Sequence, residues 1–324
     1  MTAGSGKGFF RCEAMKYKKQ IRSELKPIAR NVPYNKAIIK CANIFQVLSF
    51  HFTPLPRGVV HRTIAVEGYK GLKFKTEIFE PSNIKEKLPC LIYVHGGAFS
   101  YKASAYHKKL ACIYAVKAKC RVCFPDYHLM PGYPYPAAYE DAVALYRCVM
   151  ERAEEFGIDR ERIGVAGDSA GASIAALICN RYKQENLRQP CVQMLVYPLT
   201  DVTMQTDSMK KFSDTPLWNS KNNKRMWFYY CRDLSGEDVY AASPMHSGLP
   251  ESIPDTYIET AEYDCLHDEG VLYGKRLREA GANVELNETR GTIHGYDCAI
   301  NTKIAVSNIK KRIAFLKKGF CGCV

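Results

Sequence analysis

No stretch of this chain is apolar for long enough to cross a bilayer, so a membrane-spanning helix is not expected. The start, Met1-Thr-Ala-Gly-Ser-Gly-Lys-Gly-Phe-Phe-Arg11, lacks the apolar core of a secretory signal. There is no Walker loop, and neither glycine-rich stretch carries a dinucleotide fingerprint. No recognised nucleic-acid motif accompanies the positive charge, so nucleic acid is not an expected partner. Internal repeats and low-complexity segments are also absent. Cys120-Arg-Val-Cys123 is a C-x-x-C, but no second pair supports it. It falls in a predicted strand, where residues three apart point to opposite faces, so no metal is expected there.

What is present fits a soluble α/β protein. The 324 residues are 47% hydrophobic and 24% charged, enough for one large domain or two small ones. The 14 cysteines are scattered through apolar patterns, which suits a reducing cytoplasm better than a disulfide framework. Asn287-Glu-Thr289 is a glycosylation sequon without a secretory signal to give it meaning. Cys321-Gly-Cys-Val324 only loosely resembles a prenylation box, because its Gly and Cys are not aliphatic.

The net charge is +13, from 46 Lys and Arg against 33 Asp and Glu. Much of it lies at the ends, in Lys16, Lys18, Lys19, Arg22 and Lys26, and in Lys303, Lys310, Lys311, Arg312, Lys317 and Lys318. The plain interpretation is solvated helix faces. The sharper one is attraction to an anionic membrane or an acidic partner.

Residues 1 to about 55 have a helical, amphipathic pattern, with Ile38, Ile39, Ile44, Val47 and Leu48 as apolar positions. His61–Glu67 and Lys73–Phe79 alternate as strands. Continuous apolar runs at 89–94 and 121–126 are expected central strands. A helix is expected over 137–156, then strands at 163–166 and 192–197 around a helix over 170–179. Residues 201 to about 248 interrupt the alternation with a polar, aromatic stretch holding Trp218, Trp227, Phe228, Tyr229 and Tyr230. Strands at 257–260 and 284–287 follow, with helices at 270–280 and 304–316. Alternating strands and helices imply a mostly parallel sheet covered on both faces.

Gly167-Asp-Ser-Ala-Gly171 sits at the junction of a predicted strand and a predicted helix. At such a corner the serine backbone is strained, and only glycine-sized neighbours leave room for the turn. The hydroxyl then stands at a helix N-terminus, where developing negative charge is favoured. Ser169 is the expected nucleophile. His95-Gly-Gly-Ala-Phe99 follows the apolar strand ending at Val94, and two glycines let backbone N–H groups approach a substrate oxygen.

Of eight histidines, only His294 lies in the loop after the last predicted strand, flanked by Gly291 and Gly295. From there an imidazole can reach the serine across the C-terminal edge of the sheet and act as general base. The orienting acid is expected in Glu262-Tyr-Asp-Cys-Leu-His-Asp-Glu-Gly270. Asp264 is preferred, because Asp268 and Glu269 lie where a helix begins and suit capping and the helix dipole. The order Ser169, Asp264, His294 is that of a nucleophile elbow.

Those three motifs, together with Asp126-Tyr-His-Leu-Met-Pro131 and Ile293-His-Gly-Tyr296, resemble the hormone-sensitive-lipase family of α/β-hydrolases, which includes bacterial carboxylesterases and arylacetamide deacetylases. The likeness runs from about Lys73 to the C-terminus. It implies an eight-stranded, mostly parallel α/β-hydrolase fold. It implies Ser169 as nucleophile, His294 as base and Asp264 as orienting acid, with the N–H groups of Gly96, Gly97 and Ala170 as the oxyanion hole. The catalytic domain would be residues 56–200 and 249–324. A helical cap would be built from residues 1–55 and the insertion 201–248.

Ala98 stands where many members have a third glycine. His128 and Gly132 replace an Arg and a Glu, so a structural salt link is expected to be missing. Cys265 replaces a proline. The implied activity is a serine carboxylesterase acting on short or small apolar acyl esters, with no cofactor and no metal. A peripheral membrane lipase or deacetylase on the same triad, or a non-catalytic ligand-binding relative, are the alternatives. The partner is a small-molecule ester, membrane contact is not favoured, and a homo-oligomer is compatible with the sequence.

Overall fold

The structure is a computed structural model and describes Tyr17 and residues 19–322. Lys16 and Lys18 of the N-terminal basic cluster, and Cys323 and Val324, lie outside the described residues.

Eight strands form one sheet: β1 (Val59–Glu67), β2 (Lys73–Pro81), β3 (Leu88–Val94), β4 (Arg121–Pro125), β5 (Ile158–Asp168), β6 (Val192–Val196), β7 (Asp255–Tyr263) and β8 (Val284–Ile293). Their spatial order is β1-β2-β4-β3-β5-β6-β7-β8. β2 runs antiparallel to β1 and β4, and the pairings from β4 through to β8 are parallel. All seven residues of β3 are buried, as are the five of β4 and the five of β6. This is why those strands read as unbroken apolar runs rather than alternations.

The helices are α1 (Lys36–Phe52), α2 (Ala105–Ala118), α3 (Ala137–Glu151), α4 (Ala153–Phe156), α5 (Ala170–Arg181), α6 (Asp207–Lys211), α7 (Ser220–Tyr230), α8 (His267–Glu279) and α9 (Lys303–Cys321). The helix expected over 137–156 is broken at Arg152, whose backbone (φ −103°, ψ 21°) leaves helical geometry. The N-terminal stretch is less helical than its pattern implied. Within its described part the helices are α1 and one 3₁₀ turn, Ser23–Leu25. Of the apolar positions that suggested a buried stripe there, only Ile39 is buried.

Between β6 and β7 the chain forms α6, α7 and two 3₁₀ turns, and no strand. This stretch and the N-terminal segment hold each other. Asn222 Oδ1 accepts from the Tyr34 N–H, Asn222 Nδ2 donates to Val32 O, and the Leu217 N–H donates to Arg30 O. The rings of Tyr34 and Trp218 meet edge to face at 5.7 Å. Both segments come together over the C-terminal ends of the central strands, where the crossovers of an open α/β sheet leave a crevice.

Candidate active site

The turn from β5 into α5 is built on close backbone approach. A side chain on Gly171 would run into the carbonyl of Val94, so β3 and α5 could not pack at this distance. With the corner this tight, Ser169 is forced to φ 53°, ψ −119°, a region that L-residues other than glycine avoid. Its N–H donates to Val196 O and its C=O accepts from Ser173 and Leu199. Backbone bonds to β6 and to α5 thus hold the strained residue, and its hydroxyl projects into the crevice.

The hydroxyl meets His294. Ser169 Oγ donates to His294 Nε2 at 2.9 Å, and His294 Nδ1 donates to Asp264 Oδ2 at 2.6 Å. Asp264 is fully buried, and its other oxygen accepts from the Leu266 N–H at 3.0 Å. The carboxylate therefore fixes both the ring's orientation and its tautomer, with the proton on Nδ1 and the Nε2 lone pair facing the serine. The three residues chosen from the sequence come together in one hydrogen-bonded line. Asp268 and Glu269 lie elsewhere. Neither caps its own helix, contrary to the expectation, because the N-cap of α8 is Leu266, without a side-chain cap: Asp268 accepts from the N–H of Ser208 in α6, and Glu269 accepts from those of Thr200 and Asp201.

The glycine loop after β3 sets its residues in different surroundings. Gly97 (φ +122°) and Ala98 line the cavity at Ser169. Gly97 needs its missing side chain, because a Cβ would collide with the Tyr101 carbonyl. Gly96 lies one step below, and its N–H faces the Asp168 carboxylate, which any Gly96 side chain would strike. Burial favours the neutral form of Asp168. The neighbouring His107, which donates to the carboxylate, and the Gly96 N–H outweigh it and hold the carboxyl below its usual range.

His107 Nδ1 accepts from the Ser104 N–H, so Nε2 carries the proton and faces Asp168 Oδ2 at 3.4 Å. Tyr93 donates to Oδ1 of the same carboxylate at 3.0 Å. His95, packed flat on Tyr127, is held neutral: burial first, then the nearby His107, push it down to about 4. These residues were not singled out as a group from sequence, although Asp168 sits inside the pentapeptide.

The cavity over Ser169 is about 140 Å³. Tyr101, Tyr106, Tyr197, Leu217 and Trp218 close it, together with Gly295. Trp218 lies 6.3 Å from the His294 ring, between centroids, and Tyr197 4.7 Å. Tyr197 donates to Asp297 at 2.6 Å, and Asp297 and Glu259 both pair with Arg312 on α9. Glu259 also accepts from Tyr296 at 2.6 Å. A buried charged network thus anchors Tyr296 and Asp297, just after His294. His128 donates to Asp141 at 2.7 Å, so the link expected to be missing near Asp126 is replaced by another. Among the described residues no group of His, Cys, Asp and Glu is arranged to hold a metal.

Residues 91–297 match the family model described as alpha/beta hydrolase fold. The chain is 32% identical over 257 residues to carboxylesterase NlhH of Mycobacterium tuberculosis, covering 78% of this chain and 80% of that one. It is 35% identical over 252 residues to esterase LipI of the same species, covering 75% and 78%. Among solved structures it is similar to a bacterial heroin esterase, at a TM-score of 0.85 and 27% identity over 93% of this chain and 98% of that one. The sheet order, the strained serine and these matches agree: the chain belongs to the α/β-hydrolase fold family and groups there with carboxylesterases.

Proposed function

We propose that the protein hydrolyses small carboxylic esters through an acyl-enzyme on Ser169. The observation that carries this reading is the unbroken line Asp264–His294–Ser169, with each bond at hydrogen-bonding distance. His294 Nε2 takes the hydroxyl proton as Oγ attacks the ester carbonyl carbon. The carbonyl oxygen becomes an oxyanion, held by the N–H groups of Gly97, Ala98 and Ala170; Gly96 shapes the loop through Asp168 rather than donating. Asp264 stabilises the imidazolium. That imidazolium then protonates the departing alkoxide as the carbon–oxygen bond breaks, leaving the acyl group on Ser169. Water, deprotonated by His294, attacks the acyl-enzyme, and the acid and free Ser169 are released.

Residues 201–248 and the N-terminal segment through about residue 55 act as a cap, with Trp218 and Leu217 limiting the acyl group. A cavity of 140 Å³ is small beside the several hundred Å³ usual for drug-sized ligands, which favours short acyl chains. The free state of the described cysteines fits a cytoplasmic location. A panel of p-nitrophenyl esters tests the substrate class. Acetate and butyrate should be hydrolysed with kcat/KM at least about a hundredfold above palmitate, as steric exclusion of a long chain implies. Equal or faster palmitate turnover would point to a lipase instead. Tight binding of a small ligand without hydrolysis of any ester would point to a non-catalytic relative.

A further inference from the structure

The helix α1 is inside out. Its inward side is held largely by polar contacts: Asn43 Nδ2 donates to Ser100 O, Asn43 Oδ1 accepts from the Lys102 N–H, and Ser49 Oγ accepts from the Ala105 N–H. Ile39 is its one buried residue, and Phe50 stacks on Phe124. Its bulky apolar side chains point the other way. Phe45 is 72% exposed, Phe52 74% and Ile44 58%, with Leu48 between them. At 3.6 residues per turn, positions 44, 45, 48 and 52 fall on one stripe, and Lys36, Lys40 and His51 run along its edge.

The surroundings continue the pattern. The helix packs on α2, and α2 packs on α9. These three helices contain no Asp or Glu, yet carry two Lys in α1, three in α2 and six Lys and Arg in α9. A cleft of about 750 Å³ opens between the end of α1, α2 and α9. Leu55, Ile113, Val306 and Ile313 are among its apolar lining residues, and Lys109, Lys117, Lys310 and Lys317 also line it. None of these four lysines pairs with a described carboxylate. Isolated apolar side chains on a surface are ordinary, but a stripe of them set in a field of one sign is not.

We propose that the face formed by α1, α2 and α9 docks on an anionic lipid bilayer. The stripe of Ile44, Phe45, Leu48 and Phe52 enters the headgroup boundary, and the lysines of the cleft meet lipid phosphates. A protein partner would have to supply carboxylates to the lysines and an apolar groove to the stripe at once. A bilayer with acidic headgroups offers both over any area, which is the combination an interfacial helix uses. The proposal concerns where the molecule sits and is independent of its ester chemistry.

Co-sedimentation with vesicles of phosphatidylcholine, and of phosphatidylcholine mixed with phosphatidylglycerol, tests it. The protein should pellet with the mixed vesicles at low ionic strength and be released as salt is raised, because the Debye length falls to about 10 Å at 0.1 M. The double variant Phe45→Ser/Phe52→Ser should bind roughly tenfold less, since two aromatic anchors are removed. Its melting temperature should change little, because both side chains are largely exposed. Lys109→Glu/Lys317→Glu should also weaken binding. Failure to pellet with either vesicle would overturn the proposal. So would undiminished binding by the Phe variant, which would mean electrostatic adsorption alone. Retention on a soluble polyanion such as heparin without vesicle binding would assign the face to another class of partner.

Discussion

At the residue scale, the site depends on which proton sits where. His294 can accept from Ser169 only while its Nδ1 proton is held by Asp264, and the 2.6 Å bond to a fully buried carboxylate holds it there. Asp264→Asn keeps the shape but offers an amide that can present its N–H to the ring and select the opposite tautomer. The expected outcome is a loss of kcat of about 10⁴ with the fold intact, the size of effect known for this change in another serine hydrolase. Measured kcat and melting temperature check it, and a loss below about tenfold would contradict the role given to Asp264. Ser169, Asp264 and His294 were legible in the sequence because each follows a predicted strand of a parallel sheet. The different surroundings of Gly96 and Gly97 were not. Adjacent glycines look alike in sequence, and only the placement of Asp168 beneath the loop separates them.

At the scale of elements, two buried side-chain systems tie helices to loops at the C-terminal edge of the sheet. Arg312 on α9 pairs with Glu259 on β7 and Asp297 after β8, all fully or almost fully buried. For Arg312 burial opposes the charge, and the two carboxylates outweigh it, raising its pKa further. Arg312→Met would leave two buried carboxylates without their cation, at a cost of about 3–5 kcal/mol. Because Asp297 also receives Tyr197, which lies against His294, activity per folded molecule should fall too. Denaturant unfolding and kcat measured on the same preparation check both parts.

Glu269 at the start of α8 is the second system. Burial, joined by the charges of Asp201 and Asp264, pushes its carboxyl well above 4.5, the value for the unfolded chain. The folded protein then holds this proton more tightly. The contribution to stability is present at low pH and lost as pH rises from about 4.5 through the raised native value. Glu269→Gln keeps an acceptor for the Thr200 and Asp201 N–H groups and removes the ionisation. Its melting temperature should therefore fall less than the wild type's between about pH 5 and about pH 8. Parallel pH profiles for the two proteins would contradict this. Neither system was visible in the sequence, since the carboxylate partners come from positions tens of residues away. Arg312 had been counted among solvated lysines and arginines for the same reason.

At the scale of the whole molecule, the sheet was the most legible part. Eight strands were expected, and each overlaps its expected place; the central ones are legible because strands buried on both faces leave continuous apolar runs, and β1 and β2 because their residues alternate. The N-terminal stretch misled because amphipathic periodicity says that a helix has an apolar face, not which way that face points. In α1 it points outward. The family match from 91 to 297 covers the elbow, the glycine loop and His294, while α1 and α9 lie beyond it. The matched region thus contains the candidate active site and α2, while the apolar stripe of α1 and the six Lys and Arg of α9 lie outside it. The most direct test of the catalytic reading is peptide mapping after reaction with diethyl p-nitrophenyl phosphate. The expected result is one diethylphosphoryl group per molecule, on Ser169, formed with stoichiometric release of p-nitrophenol and matching loss of esterase activity, and no adduct in Ser169→Ala. An adduct on another residue, or esterase activity surviving in Ser169→Ala, would contradict it.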